Sequence, residues 1–257
     1  MFESIINFFY IILYQPLFNF LVLLYNYVPG HDFGIAIILL TIIIRFILYP
    51  LSVKAVKSQK SLQKLQPKIQ ELQKKYKDDK EKQAKETLAL YKTEKINPFS
   101  GLFLSLIQIP ILIALYQVFW DGVNPQKLAA LYGFVLNPGN INPLFLHIID
   151  LSKPNLILAV IAGLVQYFQT KMLLPPAAPK TDLQGRGADF SQIMQKQTLY
   201  FFPVFTIIIL ISLPSALGLY WTISGLFSII QQYLIFSAQG GPASGWKKNN
   251  KPEIVNK

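Results

Sequence analysis

Arg45 is the residue whose chemistry most needs an explanation. It interrupts the apolar run Gly34-Ile-Ala-Ile-Ile-Leu-Leu-Thr41-Ile-Ile-Ile-Arg45-Phe-Ile-Leu-Tyr-Pro50, and no Asp or Glu lies in any apolar run of the chain to neutralise it. On a helix, Arg45 sits about 13 Å from Lys54, the first cation past the run. That is near the middle of a hydrocarbon slab roughly 30 Å thick. A guanidinium at that depth costs several kcal/mol unless it faces protein or a water-filled cavity. With no carboxylate at hand, the sequence favours the cavity. An unpaired cation in a wet intramembrane cavity is a receptor for an anionic group.

Other polar residues inside apolar runs extend this reading. Thr41 lies one turn before Arg45 on the same helix face. Gln108 precedes Pro110 in the middle of a second run, Gln166 and Gln169 close a third, and Thr222, Ser224 and Ser228 follow Tyr220-Trp221 in the last. Taken singly, each is an ordinary interhelical hydrogen-bonding residue. Taken with an unpaired arginine, they point to a hydrated groove. Tyr220-Trp221 also suits an interfacial aromatic belt, and that alternative stays open. Catalytic chemistry is nearly absent. His31 and His147 fall outside the runs, cysteine is absent, and neither histidine has the spacing of a metal site. There is no phosphate-binding Gly-x-x-x-x-Gly-Lys-Ser/Thr loop and no Gly-x-Ser-x-Gly elbow. The chain reads as a non-enzyme with no metal and no cofactor.

The elements that must position these residues are membrane helices. The 257 residues are 52% hydrophobic and 14% charged, and apolar runs of about 20 residues recur, which defines a polytopic membrane protein. The expected order is an N-terminal amphipathic segment over 1–33, spans at 34–53, 97–120 and 154–174, and a fourth and fifth span within 198–236. That last stretch would be about 58 Å long as one helix, so it should turn at Leu213-Pro214-Ser215, where proline interrupts the ladder. Charge then sets orientation. Residues 54–96 hold thirteen Lys and six acids, net +7, whereas the loop 121–153 holds two of each. The loop 175–197 is +1 and the tail 237–257 is +3. Residues 54–96, 175–197 and the tail are therefore expected in the cytoplasm, and 121–153 outside. No secretory signal peptide is evident, since no Lys or Arg precedes Arg45.

Two segments need separate comment. Over 5–28, Pro16 interrupts an apolar stretch and Gln15, Asn19 and Asn26 form a narrow polar stripe. An interfacial helix on the outer face fits that stripe, and a sixth span remains the alternative. Residues 54–96 read as a cytoplasmic helical hairpin. Leu62, Leu65, Ile69, Leu72 and Tyr76 step by 3, 4, 3, 4 as a coiled-coil seam. Lys77-Asp78-Asp79-Lys80 is the expected turn, Ala84, Leu88 and Tyr91 continue the seam on the return arm, and Pro67 should kink or restart the first arm.

These residues bring the chain to a resemblance. It resembles the YidC-type membrane protein insertases, with their mitochondrial oxidase-assembly and chloroplast Albino relatives. The matching stretches are Thr41-Ile-Ile-Ile-Arg45-Phe-Ile-Leu-Tyr-Pro50-Leu, Leu65-Gln-Pro67-Lys-Ile-Gln, Ala89-Leu-Tyr91-Lys-Thr-Glu-Lys95-Ile-Asn97-Pro98 and Leu106-Ile-Gln108-Ile-Pro110-Ile. They continue with Ile149-Asp150-Leu-Ser, Gln169-Thr-Lys171-Met172, Leu213-Pro214-Ser215-Ala-Leu-Gly-Leu-Tyr220-Trp221 and Ile229-Ile230-Gln231-Gln232. The order and spacing of the pieces carry the resemblance, over roughly residues 14–236.

It implies an all-α membrane protein with a five-helix core around a hydrophilic groove. That groove opens to the cytoplasm and sideways to lipid, with Arg45, Thr41, Gln108, Gln169, Tyr220 and Trp221 at groove or substrate-contact positions. It also implies that Tyr14-Gln-Pro16-Leu-Phe18 begins an amphipathic helix on the outer surface. The implied partners are nascent membrane proteins with short, often acidic tails, the lipid bilayer, and the ribosome, signal recognition particle and Sec machinery, with no specific nucleic-acid recognition. The implied location is a bacterial plasma (inner) membrane. The chain departs from the family pattern in carrying no large outer-face domain, no lipoprotein cysteine and only a short basic tail. An anion channel or transporter, and a passive assembly scaffold, are the rival functions.

Overall fold

A computed structural model describes residues 2–174 and 186–238. The expected basic tail beyond 238 and residues 175–185 of the expected 175–197 loop lie outside the described residues, while 186–197 belong to a helix. The chain opens with α1 (Phe2–Phe9), a π-helical stretch at Tyr10–Tyr14 and α2 (Gln15–Tyr27). Pro16 has no N–H to offer the preceding turn. The helix answers with a wider register, in which the Gln15 N–H donates to the Tyr10 carbonyl. Ile6–Tyr27 is long and apolar enough to cross a membrane.

α3 (Phe33–Ile47) starts at Asp32, whose carboxylate accepts the Ile35 N–H at 2.9 Å. α4 (Tyr49–Lys75) follows after a bend of 67°. A helix break thus falls inside the span expected over 34–53. Leu48 closes α3, and Pro50 sits in the first turn of a new helix, where its missing N–H costs nothing. α5 (Lys80–Thr93) begins at Asp79, which accepts the Lys82 N–H at 2.9 Å. α4 is helical straight through Pro67, which is exposed.

α6 (Ser100–Gly122) leads into a loop with a 3₁₀ turn at Pro125–Ala130. Next comes a small antiparallel ribbon of β1 (Leu144–Phe145) and β2 (Ile149–Asp150), the one departure from an all-helical reading among the described residues. α7 (Leu156–Leu173) is capped by Asn155, whose side chain accepts the Leu158 N–H. α8 (Arg186–Leu210) and α9 (Ser215–Ala238) split the long apolar stretch at residues 211–214.

Two ends of the bundle differ in character. At the loop end, α2, the 121–155 loop and the start of α9 are tied by hydrogen bonds. Tyr14 donates to Asp121 (2.7 Å), Asn19 accepts from Tyr132 N–H (2.6 Å), Asn26 donates to the Leu136 carbonyl (2.7 Å) and Tyr25 accepts from Asn142 N–H (3.0 Å). Thus Asn19 and Asn26 of the polar stripe on α2 pair with loop backbone. The α9 N-terminus closes on the same loop, its Ser215 and Ala216 N–H groups donating to the Lys153 and Leu151 carbonyls. Beneath this cap Phe18, Leu21, Phe33, Ile37, Leu115, Leu151 and Leu210 are fully buried and fill the bundle.

At the hairpin end, the root of α4 docks under the other helices. Gln231 donates to Ser52 (2.7 Å), Lys60 donates to the Phe236 carbonyl (3.2 Å), and Gln63 bonds the Leu173 carbonyl. Leu65 and Ile69 are buried, while Leu72, Tyr76 and Tyr91 are half-buried. Leu88 is a correction to the expected seam: it is 55% exposed. Gln83 bonding the Gln73 carbonyl and Glu94 pairing with Lys68 at 2.7 Å tie the two arms together, and Gln83, Thr87, Leu90 and Tyr91 are half-buried positions beside that contact.

Candidate functional site

A cavity of about 250 Å³ opens between four helices. α3 contributes Arg45, α6 contributes Gln108 and Leu112, α7 contributes Gln166, Gln169, Thr170 and Leu173, and α9 contributes Tyr220, Trp221, Ser224 and Gly225. Of the six residues expected at a groove, the fold brings five to this one space from helices far apart in sequence. Thr41 is the sixth and does not line it. It is fully buried, and its hydroxyl donates at 2.6 Å to the Ile37 carbonyl of its own helix. Thr222 and Ser228 bond their own helix in the same way, through the Gly218 and Ser224 carbonyls. A hydroxyl that finds a backbone partner one turn back has no need of a groove.

Arg45 is half-buried in this cavity. Among the described residues the ion pairs are Lys68–Glu94 in the hairpin and Lys153–Asp150 in the loop, and Arg45 takes part in neither. Its surroundings are amides, hydroxyls and rings, which can solvate a guanidinium but cannot cancel its charge. Tyr220 is only 4% exposed, its hydroxyl accepts from Gln108 and its ring meets Trp221 edge-on with centroids 6.5 Å apart. That burial turns the Tyr220 ring into the bundle. Gln166 leaves its side-chain oxygen buried with no hydrogen-bond partner among the described residues. Such an acceptor costs about 1–3 kcal/mol unless something polar enters the cavity to meet it. The arrangement therefore favours an occupant that is anionic near Arg45 and polar along α7.

Leu112, Thr170, Leu173 and Gly225 were not legible as site residues. The clearest signal for the α7 contacts is its small residues. Ala159, Ala162 and Gly163 are buried, and a methyl group at Gly163 would lie 2.5 Å from the Ile207 side chain of α8. That close approach fixes the helix from which Gln166 and Gln169 project. No three His, Asp or Glu side chains among the described residues are placed to hold a metal.

Apolar helices long enough to cross a membrane, around a cationic, polar cavity, are the architecture of a helical membrane protein. The family model for the 60Kd inner membrane protein matches residues 23–240, and the chain belongs to that family. Membrane protein insertase YidC of Francisella tularensis subsp. novicida (strain U112) is 34% identical over 204 residues, covering 79% of this chain and 32% of that protein. The same protein of F. tularensis subsp. holarctica (strain LVS) gives the same identity and coverage. The chain spans about a third of the length of these curated relatives.

Proposed function

We propose that this chain is an insertase of a bacterial inner membrane, which moves short hydrophilic tails or loops of nascent membrane proteins through the Arg45 cavity and releases their apolar helices into lipid. The observation that carries the reading is an arginine with no carboxylate partner, held among polar side chains in the apolar part of the bundle. The curated relatives named as membrane protein insertases support it. In this account the hairpin end faces the cytoplasm, as its Lys excess requires. The five-helix core is formed by α3, α6, α7, α8 and α9, and α2 lies with the capped loop at the outer face. The groove opens to the cytoplasm and sideways to lipid. Ribosome, signal recognition particle and Sec machinery are candidate partners at the two ends.

The energetics suit transient capture. An acidic group 4 Å from Arg45 gains about 4 kcal/mol at an effective dielectric near 20, before desolvation is counted. That is enough to dwell and too little to trap. An outside-positive potential adds about 2.3 kcal/mol per charge per 100 mV, and burial of the client's own span in lipid makes the whole process downhill. The apolar core beneath the loop-end cap argues against a continuous ion path.

Accessibility tests the orientation and wetness of the groove. In this cysteine-free chain, Gln169→Cys in sealed vesicles is expected to react with a membrane-impermeant thiol reagent added on the hairpin side. Reaction only from the loop side, or protection from both sides, would contradict the groove.

A further inference from the structure

The loop between α6 and α7 carries a feature that the cavity does not use. Phe134 and Leu136 are 76% exposed, Ile148 is 80% exposed and Leu146 is 54% exposed, and Tyr27, at the end of α2, is 79% exposed. They belong to one place. Asn26, beside Tyr27, bonds the Leu136 carbonyl, and Asp32, at the start of α3, accepts the Leu146 N–H at 2.6 Å. The apolar side chains therefore crowd around the α2–α3 turn, where the helices leave the apolar zone. The backbone is bent to present them. Leu146 (φ 50) and His147 (φ 60) occupy the left-handed region, which side chains with a Cβ avoid, and this turn sends Leu146 and Ile148 outward. Between Lys127 and Asp150 the chain has no Asp, Glu, Lys or Arg.

We infer that this loop seats its apolar tip, with Tyr27, in the headgroup and upper acyl layer of the leaflet at the loop end. Two observations select lipid as the occupant. The tip adjoins the facing ends of the apolar helices α2 and α3 through the Asn26 and Asp32 contacts. It also carries no charged side chain from residue 128 to 149, and uncharged residues and aromatic rings suit the interfacial zone. Seated there, the loop anchors the cap and places the closed end of the bundle at a fixed depth. The inference rests on the chain being embedded in a bilayer and is independent of what enters the cavity.

The absence of cysteine makes depth measurable. Single-cysteine variants Leu136→Cys and Ile148→Cys, labelled with a nitrobenzoxadiazole dye, would be reconstituted in phosphatidylethanolamine and phosphatidylglycerol vesicles. Ile208→Cys on the apolar, exposed face of α8 serves as the bilayer control and Asp78→Cys in the exposed hairpin turn as the water control. Both loop labels are expected to be quenched by headgroup-region spin-labelled lipid, and iodide quenching should be at least threefold weaker than at Asp78. Iodide quenching equal to that at Asp78 would overturn the inference. So would protection from both quenchers, since that means a protein surface, such as a second copy, covers the tip. Iodide access at Ile208 as well would overturn the membrane reading itself.

Discussion

At the scale of single residues, position in an apolar run made Arg45 legible, and partners made the others ambiguous. Thr41, Gln108 and Tyr220 look alike in sequence as polar groups on apolar helices. The fold separates them by where each hydrogen bond goes: Thr41 into its own helix, Gln108 across to Tyr220 on α9. No periodicity encodes that difference, because it depends on which helices meet. The cross-helix bond predicts coupling. Tyr220→Phe alone should lower stability by about 1 kcal/mol, because it leaves the Gln108 amide without its acceptor. The double variant with Gln108→Leu should cost less than the sum of the singles by at least about 0.5 kcal/mol. Thermal unfolding of the purified protein in detergent would check this, and strict additivity would mean that the bond carries no weight.

At the scale of elements, the helices were readable from apolar length, while bends and registers were not. The turn between α8 and α9 follows from an apolar stretch too long for the bilayer. The 67° bend at Leu48 is not legible in the sequence because residues 49–53 continue the apolar pattern, and only Pro50 hints at a new helix. The seam through Leu88 failed because a polar pair, Lys68–Glu94, and the Gln83 amide set the register of a mostly polar helix. Helix packing yields a direct test. A methyl group at Gly163 would sit 2.5 Å from Ile207 and 3.1 Å from the Pro203 carbonyl, whereas one at Gly218 meets nothing closer than 3.5 Å. Gly163→Ala should cost about 1–3 kcal/mol through overpacking. Gly218→Ala should be neutral or stabilising by up to about 1 kcal/mol through helix propensity. Equal effects in thermal unfolding would contradict the α7–α8 contact.

The loop that holds the α9 N-terminus adds a pH dependence. Burial pushes the Asp150 carboxyl up, but bonds from the Ser152 hydroxyl and N–H and from Lys153 outweigh it and hold the group below the usual carboxylate range. A depressed carboxylate stabilises the fold above its unfolded value, and that contribution is lost as pH falls through the folded one. The unfolding midpoint of the native chain should therefore exceed that of Asp150→Asn at neutral pH, and the gap should close in acid. A gap that widens in acid would contradict the assignment.

At the scale of the whole molecule, charge and hydropathy expressed the two ends, and tertiary contacts made one end a closed cap and the other a docked hairpin. The cavity lies between them, and the account stands on Arg45 acting there as an electrostatic lure. Insertion of a single-span client bearing zero, one or two acidic residues in its translocated tail, by variants at matched abundance, tests that most directly. Arg45→Lys should retain most activity, since a point charge suffices. Arg45→Ala should impair the acidic tails more than the neutral one, and Arg45→Glu should impair them most, through like-charge repulsion. Equal loss for all three tails, with Lys failing as fully as Ala, would contradict the lure and leave Arg45 a structural residue.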